Sequence, residues 1–296
     1  MSNRERVVSV SAQNRKRSKR SEIWQYFHQN VGAMAGLIFL ILLCIVALTV
    51  DLWLDSSLVE GINVRDKLQS PSLKHLFGTD EMGRDLFWRC VYATKYSLAI
   101  GFVSVIVSVV IGVPLGAIAG YFGGLCDEII MRVTDIFSAI PPILMAVVVV
   151  SMLGTDTINL MLAVGISATP QFVRITRASL LTVKNQEYVE AARALGKTNV
   201  YIIFRHALPN CLSPIIVQVT LQIANAIISA ASLSFLSLGV KPPTPEWGAL
   251  LSAGKAFVRG YSYLTLFPGL CIMLTVLAFN LVGDGLRDAM DPKLHK

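Results

Sequence analysis

Charge is scarce in this 296-residue chain: Asp, Glu, Lys and Arg make up 15% of it, where an ordinary soluble domain carries about a quarter. Catalytic signatures are missing as well. The closest approach to a G-x-x-x-x-G-K-[ST] phosphate loop, Gly248 to Gly254-Lys255-Ala256, has one residue too many and ends in alanine. No H-E-x-x-H or G-x-S-x-G sequence occurs, and no nucleophile constellation is visible. The chain therefore reads as a non-enzyme. Its five cysteines are odd in number and form no C-x-x-C pair, which argues against a disulfide framework or a metal cluster. Cys44 and Cys271 read as small hydrophobes within apolar runs, and Cys90 as the one cysteine in an outer loop. There is no internal repeat, and no low-complexity tract. Nor do ionisable residues run through the apolar segments, apart from Asp135 at the edge of one; a proton-driven transporter needs such groups at mid-membrane.

What the chain has is apolar length. Hydrophobic residues make up 54% of it. A membrane-spanning helix needs about 20 mostly apolar residues. Six runs meet or approach that: Val31–Val50, Ser97–Tyr121, Ile136–Leu153, Ile158–Val173, Cys211–Leu238 and Leu264–Gly283. The fourth is short, with Pro170 near its end, and only the turn Gly154-Thr155-Asp156-Thr157 separates it from the third. The ten-residue alternation of barrel strands is absent, so the fold class is all-α, a polytopic membrane protein of six helices. The uncharged stretch from Ile23 to Val50 contains far more than the 7 to 15 apolar residues of a cleaved signal; the first run reads as an anchor.

Orientation follows from Lys and Arg. The N-terminal tail carries Arg4, Arg6, Arg15, Lys16, Arg17, Lys19 and Arg20. The side of the membrane that it shares holds 17 basic residues against 9 opposite. Both termini and the loop between the fourth and fifth runs are thus expected in the cytoplasm of a plasma or inner membrane. The net charge of +7 is read as a topology signal and an attraction to anionic lipid, not as a nucleic-acid site, because the basic tail abuts an anchor. The chain divides into a tail (1–30) unstructured up to the interfacial Trp24-Gln25-Tyr26-Phe27, a first span with its outer segment (31–95), and a five-span core (96–296).

Local signals mark several segments. In Phe77 to Arg89, Thr79 or Asp80 is expected to cap a surface helix carrying Leu86, Phe87 and Trp88. That helix either packs on the second span or touches cargo. Gly112, Gly116 and Gly120 share one helix face, a pattern for close helix packing or for a flexible gate, and Pro114 is expected to kink the helix. Gln218, Gln222 and Asn225 share one face of the fifth run and read either as pore lining or as hydrogen bonds between helices. From about 184 to 210 the chain is polar yet helix-prone. Gly196 suits a left-handed cap, Thr198 starts a second helix over 199–207, and Pro209 stops it. Ala191 and Ala192 allow close approach, Tyr188 offers a knob, and Glu187 and Glu190 disfavour a helix lying on anionic lipid. His206, without ligand company, reads as a packing residue.

The string Glu190-Ala191-Ala192-x-x-x-Gly196 with His206-x-Leu208-Pro209-Asn210 resembles the EAA motif of permease subunits in binding-protein-dependent ABC importers. Four further segments resemble the dipeptide and oligopeptide C-type branch: Phe77-Gly78-Thr79-Asp80 with Gly83-Arg84-Asp85, Gly120 to Gly124, Pro242 to Gly248, and Asn280 to Asp288 with Asp291-Pro292. The likeness runs from about Trp24 to the C-terminus. His206 stands where many families have an aliphatic residue. The resemblance implies a type I importer permease carrying short peptides. Its implied partners are a second, similar permease, two ATPase subunits that bind ATP and Mg, and an extracytoplasmic binding protein, with no cofactor on this chain. Closely similar permeases serve nickel complexes, glutathione or antimicrobial peptides. It also implies that Glu187, Tyr188, Glu190, Ala191, Ala192, Leu195, Gly196, His206, Leu208, Pro209 and Asn210 form the ATPase-coupling loop. Pro242, Pro243, Pro245 and Trp247 are expected to meet the binding protein or line the outer mouth. A secondary transporter and a non-transporting membrane subunit are the rival classes.

Overall fold

A computed structural model describes residues 19–290. The basic residues Arg4 to Arg17 and the Asp291-Pro292 pair lie outside them. Among the described residues there is no strand, only a single bridge between Thr79 and Asp85.

The order is α1 (Lys19–Gln29), α2 (Val31–Trp53), α3 (Ser56–Glu60), α4 (Leu86–Phe122), α5 (Gly124–Ala139), α6 (Pro142–Leu153), α7 (Thr157–Val183), α8 (Glu187–Ala194), α9 (Asn199–Ile202), α10 (Leu212–Phe235), α11 (Trp247–Gly254) and α12 (Tyr263–Met290). Helix is thus already present at Lys19, the first described residue, ahead of the expected Trp24. Phe27 is buried against the spot where Gly285 of α12 lacks a side chain. Among the described residues five helices are long and apolar enough to span: α2, α4, α7, the continuous run Asn199–Phe235, and α12.

The third expected span differs from a straight Ile136–Leu153 helix. It is a pair of arms, α5 and α6, meeting at 90°. Pro141 pushes Ile140 into an extended conformation (φ −93°, ψ 128°), and Pro142 then opens the next helix at a position where its missing N–H is harmless. The fourth span is not short. α7 has 27 residues and runs through Pro170. Membrane helices tolerate proline; in the turn before it Thr169 Oγ1 donates to the Gly165 carbonyl at 3.0 Å and Ser167 Oγ to Val164 at 2.8 Å. Asp85, not Thr79 or Asp80, caps α4, accepting the N–H groups of Phe87 and Trp88 at 2.9 and 3.3 Å. Leu86 is consequently buried at the head of a 37-residue helix, which also takes in Cys90. The expected surface helix and outer-loop cysteine are both absorbed into this span. Asp80 instead staples the preceding turn. It accepts Arg84 Nε at 2.7 Å and the Met82 and Arg84 N–H groups at 2.9 Å.

Helices α4 and α7 form the tightest seam. A side chain at Gly112 would put its Cβ 2.6 Å from that of Phe172, and one at Gly120 would sit 3.0 Å from the Arg177 carbonyl. At Gly116 it would overlap the Val173 carbonyl. From the other side Gly165 admits α4, and Ser108 Oγ donates to its carbonyl at 2.7 Å. The glycine face serves close packing. At about 1.5 Å per residue α4 is about 55 Å long. Its first turns pack with Trp247, Tyr263 and Leu264; its last residues meet the segment after α7.

Candidate functional site

The segment from Lys184 to Cys211 folds back on the far end of α4. α8 starts with Glu187 and Glu190 in its first turn, where carboxylates complement the helix dipole. Gly196 ends it at φ +72°, its N–H donating to the Arg193 carbonyl at 3.0 Å and that of Lys197 to Ala192 at 3.2 Å. Thr198 Oγ1 then accepts the Tyr201 N–H at 3.4 Å to open α9. Both expected caps are present. Pro209 behaves differently: it does not stop the path. A π-helical turn (Ile203–Ala207) hands over to a 3-10 turn (Leu208–Cys211), whose first turn has room for a proline, and α10 follows directly.

The segment is held in place by its inner face. Val189, Ala192, Ile202, Ile203 and Ala207 are buried in the main core. The Tyr121 hydroxyl at the end of α4 donates to Asn199 Oδ1 at 3.0 Å, and the Arg193 guanidinium stacks over the Tyr121 ring at 5.7 Å. Ala192 therefore serves this internal contact and not the close approach of a partner expected for it. The outer face carries Glu187, Glu190, Ala191 and Gly196, with Tyr188 (41% exposed) and Leu195 (78%). Burial of its inner part, and secondarily Cys211, holds the Tyr188 phenol above its ordinary pKa, so it stays neutral. Leu208 and His206 are half-buried, the His206 ring lying edge-on to Tyr201 at 5.6 Å. Pro209 and Asn210 are exposed, and Asn210 Nδ2 donates to the His206 carbonyl at 2.7 Å. Motif reading missed Val200 and Phe204, exposed at 64% and 62%. Their spacing of four, in a stretch that is polar yet helix-prone, was the available signal. The result is an outward face of mixed charge and apolar character, its second half joined without a break to α10.

The polar residues of α10 divide. Gln218 Nε2 donates across to Gln171 Oε1 of α7 at 3.1 Å, a bond between helices. Gln222 and Asn225 line a cavity of about 430 Å³ behind the α5–α6 elbow, with Ser167, Gln171, Arg174 and Ser229. Gln218 and Asn225 also face a neighbouring open recess. Two ion pairs tie α5 to α7: Arg177 grips Asp127 with two bonds of 2.5 and 2.7 Å, and Arg174 meets Asp135 at 2.8 Å.

At the opposite end of α4, the proline loop leads into α11. Pro242 and Pro243 are exposed, but Pro245 is buried and Trp247 is 1% exposed. The Trp247 indole N–H donates to the Cys90 carbonyl at 2.9 Å, and its ring packs with Leu86 and Leu264. Neither Pro245 nor Trp247 is available to a docking protein; only the first two prolines are. Sequence reading also missed Glu246. Buried beside Trp247, it caps α11 through the Gly248 and Ala249 N–H groups and accepts Ser97 Oγ and Ser234 Oγ at 3.2 and 2.9 Å.

A protein family described as "Binding-protein-dependent transport system inner membrane component" matches residues 112–296, and one described as "N-terminal TM domain of oligopeptide transport permease C" matches residues 18–71. The dipeptide transport system permease protein DppC of Alkalihalophilus pseudofirmus is 44% identical over 273 residues, which is 92% of this chain and 90% of that protein. DppC of Haemophilus influenzae is 42% identical over 289 residues, covering 93% and 95%. The glutathione transport system permease protein GsiD of Escherichia coli is 44% identical over 274 residues, covering 92% and 90%. Among solved structures, the inward-facing MetNI methionine ABC transporter superposes with a TM-score of 0.57 at 20% identity, over 70% of this chain and 98% of that one. That likeness concerns the fold.

Proposed function

This chain belongs to the family of binding-protein-dependent transport system inner membrane components, the permeases of ABC importers, and we propose that its cargo is short peptides and that residues 184–210 are its coupling loop to an ATPase. The names of the relatives support the cargo class. Two carry dipeptides in their names and one carries glutathione, itself a short peptide. The observation that carries the coupling reading is the outward face of α8 and α9, with Leu195, Val200 and Phe204 exposed beside Glu190 while the inner face is locked to α4. A membrane protein that leaves such a patch ordered and uncovered has a surface suited to a protein partner.

In this reading two ATPase subunits bind ATP and Mg and move the loop. A second, similar permease completes the pore, and an extracytoplasmic binding protein delivers peptide to the outer mouth near Pro242 and Pro243. Both termini lie in the cytoplasm. Because α9 runs without a break into α10, displacement of the loop reaches the helix that carries Gln218, Gln222 and Asn225. The pore then exchanges between inward and outward states, biased by nucleotide at the partner. This chain supplies a path and a lever, and no bond-breaking step.

Reconstitution tests it. Proteoliposomes holding this chain with its partner permease and ATPases, given dialanine on its binding protein, are expected to import the peptide only with ATP on the loop side. Dialanine uptake by this chain alone, driven by an ion gradient, would contradict the proposal and favour a secondary transporter.

A further inference from the structure

We propose that Glu246 is the pivot on which α10 turns: it pins the outer end of that helix to α4 and α11, so that the coupling loop, at the opposite end, swings the helix about this point. This rests on the coupling reading above, and Glu246 is a positioning residue in it. Its side chain is buried, at 2% exposed, and forms no ion pair among the described residues. Burying a charge without a counter-charge is costly, and serine or asparagine would cap α11 without one. What the carboxylate adds is capacity. It only accepts, at about four lone-pair sites. Here the Gly248 and Ala249 N–H groups of α11, Ser97 Oγ of α4 and Ser234 Oγ in the last turn of α10 all donate to it.

Packing fixes the same joint. A side chain at Gly248 would overlap Ala231 of α10, and one at Gly239 would overlap Ser234. Lys255 Nζ donates to the Phe235 carbonyl at 3.2 Å. α11 is held to α4 in turn, through the Trp247 N–H to Ser97 Oγ at 3.1 Å and the indole N–H to the Cys90 carbonyl. At this end α10 cannot leave α4 without breaking the whole knot. The opposite end differs. There the path into α10 is tied to α4 by the neutral bond from the Tyr121 hydroxyl to Asn199, by the Arg193 guanidinium over the Tyr121 ring, and by apolar contacts, which have no direction. Hydrogen bonds to an ionised group are roughly twice as strong as neutral ones, and the outer joint has several of them. When a partner displaces the loop, the inner tie gives first and the outer one holds.

The test uses the complete transporter in proteoliposomes, with the native cysteines replaced and spin labels placed in pairs on α4 and α10. The outer pair is Trp88→Cys with Leu236→Cys and the inner pair Phe122→Cys with Leu212→Cys, all at exposed positions. Pulsed electron spin resonance reads both distances without nucleotide and with ATP and vanadate. The inner distance is expected to change and the outer one to stay fixed. Two variants loosen the pin: Glu246→Gln, and Ser234→Ala, which removes the link to α10 and leaves the α11 cap in place. In them the outer distance is expected to shift or broaden. Dialanine imported per ATP is expected to fall about fivefold or more, the scale of coupling between sites, while ATP hydrolysis continues. If Glu246→Gln fails to accumulate in the membrane, Ser234→Ala decides. An outer distance that changes as much as the inner one in the unsubstituted protein would overturn the pivot. So would variants whose outer distance and import per ATP match the unsubstituted protein. An unsubstituted protein in which neither distance changes is a separate outcome, and it sinks the coupling reading itself.

Discussion

Replacing Gly196 by aspartate is expected to leave the chain folded in the membrane and to abolish ATP-driven uptake. At φ +72° a side chain is strained, but no described atom lies within 4 Å of where its Cβ would stand. The backbone term is about 1–2 kcal/mol for a non-glycine residue in the left-handed region, and less for Asp than for most. A carboxylate at a helix C-terminus adds about 0.3–1 kcal/mol of unfavourable dipole energy. Together these are too small to unfold a multi-helix membrane protein. The damage therefore falls on whatever sits over the exposed face. Co-purification of the ATPase is expected to be lost while the chain remains in the membrane fraction. Glu190→Lys, on the same face, is expected to do the same. Gly196→Ala adds the strain without the bulk or charge, so most of the coupling is expected to survive it. Wild-type uptake in Gly196→Asp and Glu190→Lys would refute the coupling role of this face.

A different failure is expected from Gly116→Leu. There the first added carbon overlaps the Val173 carbonyl and lies 2.8 Å from Thr176 Cβ and 3.1 Å from the Arg177 N. Two of these three obstacles are backbone atoms of a packed helix and cannot rotate away. Relief requires α4 and α7 to part, which also shifts Arg177 from Asp127. Overpacking of this kind costs about 3 kcal/mol or more, and a loss of that size lowers the amount of protein in cells several-fold or more. Membranes are expected to hold little Gly116→Leu chain. Gly260→Leu, where a Cβ meets nothing within 4 Å, is expected to accumulate normally. Equal accumulation of the two variants would show that the α4–α7 seam is loose enough to admit a side chain.

The glycine face was legible because its spacing of four is a property of the helix itself. The caps at Gly196 and Thr198 were legible for the same reason: each is settled by neighbours within four residues. What sequence missed depends on partners far along the chain. Trp247 is withdrawn from the surface by a carbonyl 157 residues away, and no local pattern announces that. Ala192 and Ala191 are indistinguishable in sequence, yet one is buried and the other exposed, because the phase of α8 is fixed by how it packs on the turns from Asn199 to Ala207. The prolines misled in both directions. Pro170 and Pro209 fell within continuing helical paths, the latter at the start of a 3-10 turn where no N–H is needed. Pro141 and Pro142 together broke a run that composition alone joins. The cavity behind the α5–α6 elbow was legible only in part: Gln222 and Asn225 share a helix face, but Ser167 and Gln171 join them only when α7 and α10 pack.

The central claim is that residues 184–210 present their outer face to an ATPase in the cytoplasm, and labelling measures it most directly. With the five native cysteines replaced, Ala191→Cys offers one thiol on that face for a membrane-impermeant maleimide. The account predicts labelling in inside-out vesicles and none in right-side-out ones, with bound ATPase shielding the thiol. Labelling from the outer side, or labelling that the ATPase leaves unchanged, would contradict it.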